Sequence, residues 1–180
     1  MNNLTIRHGV PADAPALADF GRRLYQAAFS EGNTPENMAA YLVKTYGVPQ
    51  QSSELRDEGM VTLLAENIAD PAGLIGYAQV RRNLALPGCV TSPAPLELYR
   101  FYVDYPFHGR GVAQALMQAV FSAAAELGGR SLWLSVWEQN PRAVAFYAKC
   151  GFVDVGTTDF WMGAEQQTDR VMVAERIPYR

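Results

Sequence analysis

Between Pro106 and Ala119 the chain reads PFHGRGVAQALMQA, a basic turn with glycines two apart that runs directly into an amphipathic segment. Gly109 and Gly111 let the backbone approach a ligand with no Cβ in the way, and Arg110 adds a mobile positive charge between them. A strand that ends in such a turn and then opens a helix leaves several N–H groups unpaired at the positive end of the helix dipole, which is an anion site suited to phosphate. The run continues as Val112–Ala113 without the Lys–Ser/Thr pair of a nucleotide P-loop, and no GxGxxG opens the first strand as a dinucleotide fold requires. Taken alone, the stretch is equally a tight turn with a glycine helix start, so its surroundings must decide.

The surrounding pattern is that of alternating strands and helices. Leu4–His8 reads as a first strand, and from Asp13 a helix carries Leu17, Phe20, Leu24 and Ala28 on one face. Thr34–Pro35 is an N-cap followed by a first-turn proline, opening a second helix that Gly47 stops. Met60–Glu66 and Leu74–Arg82 read as a hairpin across the Asp, Pro and Gly of NIADPAG, and Leu96–Tyr105 is the strand that delivers the glycine turn. The helix beginning at Gly111 keeps Val112, Leu116, Val120, Ala123 and Leu127 on one face until Gly128–Gly129, and SLWLSVW (131–137) is the next strand. Asn140–Pro141 opens a last helix ended by Gly151, and two strands near 153–161 and 170–177 flank the expected turn GAEQQTD. This is one α/β layered domain over residues 1–180, without repeats or linkers.

Composition narrows the chemistry. A net charge of −3 argues against a nucleic-acid backbone binder, which needs a concentrated basic face, and suits a cationic acceptor better. No apolar run reaches the length of a membrane helix and no secretory leader is legible, so a cytoplasmic location without a membrane partner is expected. Cys89 and Cys150 have neither CxxC spacing nor histidine partners, so neither a metal, a disulfide nor a Cys–His hydrolase is expected.

With these elements in place, LELYRFYVDYPFHGRGVAQALM and WEQNPRAVAFYAKCGF together resemble the GNAT superfamily of N-acetyltransferases. The acetyl-CoA signature Gln/Arg-x-x-Gly-x-Gly/Ala falls on His108, Gly109, Arg110, Gly111, Val112 and Ala113, with His108 as its one departure. The second signature, Asn-x-x-Ala-x-x-Phe-Tyr followed by Gly-Phe, falls on Asn140, Ala143, Phe146, Tyr147, Gly151 and Phe152. The resemblance implies the GNAT fold, a single mixed sheet of about seven strands flanked by about four helices, and acetyl-CoA as cofactor with no metal. It also implies attack by a primary amine in a ternary complex. The CoA pyrophosphate would rest on the amides from Gly109 to Gln114, and the pantetheine along Phe101, Tyr102 and Val103 in the manner of an added strand. Asn140 and Arg142 would touch the cofactor as well, although Asn140 is equally a helix N-cap.

Tyr147 is implied as proton donor to the departing thiolate, its alternative being a core aromatic. Glu97, on the strand leading to the turn, is the carboxylate expected to take the amine's proton directly or through water, unless it is only a strand-edge residue. The C-terminal FWMGAEQQTDRVMV adds a likeness to the bacterial spermidine/spermine branch. Glu31, Glu36, Asp159 and Glu165 are then candidate contacts to a polycation, although surface solvation explains each equally. Another amine (an antibiotic, an amino acid or a protein N-terminus), or a non-catalytic acyl-CoA-binding regulator, is the alternative, and a homodimer is compatible with either.

Overall fold

The computed structural model describes residues 3–29, 34–69, 73–83, 85–162 and 165–177. In chain order the strands are β1 (Leu4–His8), β2 (Met60–Asn67), β3 (Leu74–Arg81), β4 (Pro95–Val103), β5 (Ser131–Trp137), β6 (Val153–Met162) and β7 (Glu165–Ala174). The helices are α1 (Ala14–Phe29), α2 (Pro35–Tyr46), α3 (Val48–Glu54), α4 (Val112–Glu126) and α5 (Pro141–Lys149). They form a mixed α/β fold around one seven-stranded sheet of order β1-β2-β3-β4-β5-β7-β6.

Local chemistry sets the helix starts. Thr34 Oγ1 accepts from the Asn37 N–H at 3.3 Å, and Asn140 Oδ1 accepts from the Ala143 N–H at 3.1 Å, each with proline at the next position. Helix α4 instead opens on Gly111 at φ +81°.

The sheet carries helices on both faces. On one, Val112, Leu116 and Val120 of α4 and, half-buried, Phe146 and Tyr147 of α5 pack with Leu132, Leu134 and Met172. On the other, Leu17, Phe20 and Tyr25 of α1 and Met38, Leu42 and Tyr46 of α2 pack with Leu64 and Tyr77.

Three boundaries differ from the sequence expectation. Helix α3 has no apolar stripe to announce it, because the side chains it buries are Gln51 and Glu54. Glu165–Asp169, expected as turn, are strand: the β6–β7 ladder closes at Met162↔Glu165, the tip residues 163–164 lying outside the described residues. Strand β4 ends at Val103, and residues 105–107 form a short 3₁₀ turn.

The central strands matter most for function. β4 and β5 run parallel but pair only at Pro95↔Ser131, Leu96↔Leu132 and Glu97↔Trp133. Beyond that rung β4 stays on β3 as far as Val103, and β5 stays on β7 as far as Trp137. The β3–β4 register slips between Gln79 and Val80, leaving Tyr99 as an extra residue on β4. Such a bulge bends its strand and increases its local twist, here at the place where the β4–β5 ladder stops.

Beneath the bulge, Arg100 is 5% exposed and donates to Glu54 Oε2 and Gln79 Oε1, each at 2.5 Å. Gln79 Nε2 donates in turn to the same Glu54 oxygen at 3.1 Å. Helix α3 is thereby fastened to β3 and β4 through polar groups. Removing one partner of a buried pair leaves an uncompensated charge, so Arg100→Met should destabilise the fold by about 3–5 kcal/mol. Urea unfolding of the two proteins checks this; an unchanged midpoint would mean that the network contributes nothing net.

Candidate functional site

Where β4 and β5 part, a gap opens in the middle of the sheet, flanked by backbone groups that no neighbouring strand among the described residues satisfies on that side. The expected phosphate turn lies just past the open end of β4. Gly109 sits at φ +73° and Gly111 at φ +81°, in the left-handed region that costs any other residue about 1–2 kcal/mol. The His108 N–H bonds Tyr105 C=O and the Ala115 N–H bonds Gly111 C=O, but the N–H groups from Gly109 to Gln114 have no protein acceptor among the described residues. A Cβ built on Gly109 meets nothing within 4 Å, so the glycine there serves conformation and leaves open space. Arg110 is exposed, with its guanidinium 5.8 Å from the Phe107 ring centre and no carboxylate partner among the described residues. An open loop of unpaired donors at the start of the 15-residue α4 fits a pyrophosphate.

His108 does not reach outward with these donors. Its Nε2 lies 2.7 Å from the Val103 carbonyl oxygen, which ties the turn back to the end of β4. Phe101 and Val103 face α4 and α5, whereas Tyr102 faces α1 and α2, stacked on Tyr77 at 5.4 Å. Tyr147 meets the Phe101 ring edge to face at 6.2 Å. No hydrogen bond to its hydroxyl occurs among the described residues, and burial, with Cys150 adding to it, pushes that hydroxyl above the ordinary phenol range. It therefore stays protonated and can donate. Asn140 caps α5 through Oδ1 while its Nδ2 has no acceptor among the described residues, and Arg142 stands exposed in the first turn of that helix.

Glu97 is not an edge residue. It is 7% exposed on the last β4–β5 rung, where Oε2 receives Arg81 Nε at 2.6 Å and Asn83 Nδ2 at 2.8 Å. Arg81 also lies 3.5 Å from the Tyr99 ring centre. The carboxylate is thus held in a clamp joining β3, β4 and the chain after β3, which a strand pattern in the sequence cannot reveal.

Of the four acidic residues expected to meet a polycation, the side chains of Glu36 and Asp159 are among the described residues. Glu31 lies outside the described residues, as does the side chain of Glu165. Glu36 is exposed in the first turn of α2, and Asp159 is exposed one residue out of phase with Phe160, which packs under α2. Between α1 and α2 lies an open groove lined by Arg22, Arg23, Gln26, Ala27 and Leu42. Sequence reasoning missed Ser135 and Asp169, which flank the gap on the β5–β7 side. The signal for Asp169 was a period of two, since it is in phase with the buried Val171 and Val173.

Comparison with known proteins places this geometry in context. The model of the acetyltransferase (GNAT) family matches residues 20–152. An uncharacterised N-acetyltransferase of Mycobacterium tuberculosis is 32% identical over 165 residues, 92% of this chain and 99% of that protein. Among solved structures, the PaiA N-acetyltransferase of Thermoplasma acidophilum in complex with coenzyme A superposes with a TM-score of 0.75 at 18% identity, covering 94% of this chain and 97% of that one. A spermidine N-acetyltransferase of Vibrio cholerae, in complex with CoA and spermine, superposes at 0.65 and 18% identity, covering 98% and 99%.

The loop geometry carries a direct test with CoA as probe. A β-branched side chain cannot take φ +81° without rearranging the turn, so Gly111→Val should weaken CoA binding roughly tenfold or more while the melting temperature falls by only a few degrees. Calorimetric titration reads the affinity, and an unchanged Kd would remove the loop from the phosphate site.

Proposed function

The chain belongs to the acetyltransferase (GNAT) family and is an acetyl-CoA-dependent N-acetyltransferase, and on that premise we propose that it acetylates a primary amine of a polyamine, by direct attack within a ternary complex. The observation that carries the transfer chemistry is the gap between β4 and β5, with the N–H groups of Gly109–Gln114 at its mouth and the Tyr147 hydroxyl on its α5 side, none of which has a partner among the described residues. Acetyl-CoA supplies an activated acyl group and a thiol leaving group. The protein's part is to hold, orient and move protons.

The loop amides and Arg110 would hold the pyrophosphate, and Asn140 Nδ2 with the free edge of Phe101–Val103 would meet the amides of the pantetheine arm. Holding both reactants in line contributes up to roughly 7–11 kcal/mol without any covalent intermediate on the enzyme. Tyr147 would donate to the sulfur as the C–S bond breaks, a contact that exists in the transition state and not in the ground state. Glu97 would position β4 through its clamp with Arg81 and Asn83.

A polyamine acceptor is supported by the likeness to the spermidine enzyme of Vibrio cholerae and by the net negative charge. In the α1–α2 groove Arg22 is paired with Asp19 and Arg23 with Asp104, so neither cation is left open to an acceptor carboxylate such as that of an amino acid.

Tyr147→Phe keeps the ring and removes one oxygen, so CoA affinity should hold while kcat falls roughly 10²–10⁴-fold. A wild-type kcat would leave the ring a packing role only, and lost CoA affinity would assign the hydroxyl to cofactor binding. Spermidine should be turned over with a kcat/KM at least about tenfold above a simple monoamine, and the advantage should shrink as salt screens the extra charges. Equal values for the two amines, or a preference for amino acids, would remove the polyamine assignment.

A further inference from the structure

Among the described residues four charged side chains are buried: Glu54, Glu97, Arg100 and Asp169. Glu54 is paired with Arg100 and Glu97 with Arg81. Asp169, 8% exposed, forms no ion pair with any Lys, Arg or His among the described residues, and the polar side chain that counters the burial of its charge is Ser135. A buried carboxylate without a cation is costly to keep, and in a fold that pairs its other buried charges the exception points to a cation that comes from outside.

Its position says which one. Asp169 lies opposite Trp137 on β5 and Thr158 on β6, and Ser135 is exposed on the stretch of β5 that has left β4. Asp169 shares the face of the sheet that carries Phe160, which meets Tyr41 of α2 at 6.0 Å. Tyr41 stacks on Tyr25 of α1 at 4.8 Å, and Tyr25 is within the field of the Asp169 carboxylate. Tyr147 packs on the opposite face with α5. The two groups therefore stand on either side of the gap. Burial, opposed by the Ser135 hydrogen bond and assisted by the Glu138 charge, raises the Asp169 carboxyl above the usual carboxylate range and makes it a better proton acceptor.

We propose that Asp169 is the base for the attacking amine: it receives the acceptor's ammonium at a subsite shared with Ser135 and bounded by Tyr25, Tyr41 and Phe160, and takes one of its protons. The inference rests on the acetyl-transfer reading above and holds for a polyamine or an amino-acid acceptor alike. In balance, R–NH₃⁺ gives one proton to the Asp169 carboxylate, and the freed lone pair forms the C–N bond to the thioester carbonyl. The C–S bond then breaks with its electron pair on sulfur. The second nitrogen proton replaces the one that Tyr147 gives to sulfur, and Asp169 returns its proton to solvent.

Asp169→Asn is the test because it keeps size and polarity beside Ser135 but removes the charge. Amine kcat/KM should fall roughly 10²-fold or more with CoA affinity unchanged, and the melting temperature should hold or rise, since an unpaired buried charge has gone. Asp169→Glu should recover part of the rate. A variant with wild-type turnover overturns the proposal, and so does one that fails to fold or bind CoA, since the carboxylate would then be structural. Binding of spermidine and of propylamine to the CoA-loaded protein separates this inference from the reading it rests on. If the wild type turns over no amine but binds these in an Asp169-dependent way, acetyl transfer fails and the ammonium subsite stands without its catalytic step. If the wild type binds no amine, or Asp169→Asn binds them equally, the subsite is overturned.

Discussion

The functional architecture depends on one interruption of backbone pairing, the end of the β4–β5 ladder at Glu97↔Trp133. Parallel strands that had continued side by side would have closed the sheet and left no room in its centre. They part because each is held more firmly by its other neighbour, β4 by β3 through a bulged register and β5 by an unbroken run of pairs with β7. Unpaired backbone groups in a sheet interior are costly unless something satisfies them, so the gap is also a demand for an extended ligand rich in amides.

Polar side chains hold this interruption in place. On the α1–α2 face Arg100, Glu54 and Gln79 fasten the segment after the bulge, and Arg81 and Asn83 hold Glu97 at the last rung. Tyr99 lies between two guanidinium groups, 3.5 Å from Arg81 and 4.3 Å from Arg100. Hydrogen-bonded charges fix geometry with an angular selectivity that apolar packing lacks, which suits a strand that must stop pairing at one defined residue. On the other face α4 and α5 pack on Leu132, Leu134 and Met172, and that face carries the phosphate turn and Tyr147. Among the buried charges of the described residues, Asp169 is the one left without a cation.

The sequence by itself determined what local physics controls. Helical periodicity placed α1, α4 and α5. Thr34 and Asn140 marked helix starts because a short side-chain acceptor next to proline has few other uses, and Gly109 and Gly111 marked a backbone in left-handed conformations. The two spaced motifs were enough to anticipate the family and the mixed sheet, since both lie in single local segments. Tertiary structure decided the rest, because burial and partnership are not local properties. Arg100 meets Glu54 across 46 positions and Arg81 meets Glu97 across 16, so nothing near Glu97 announces that it is clamped. Helix α3 buries glutamine and glutamate where a stripe of leucines would have been legible, and Glu165–Asp169 have the composition of a turn until β6 pairs with them. The same pairing puts Asp169 beside Ser135 at the gap, and only the three-dimensional arrangement shows it to be a buried carboxylate without a cation among the described residues.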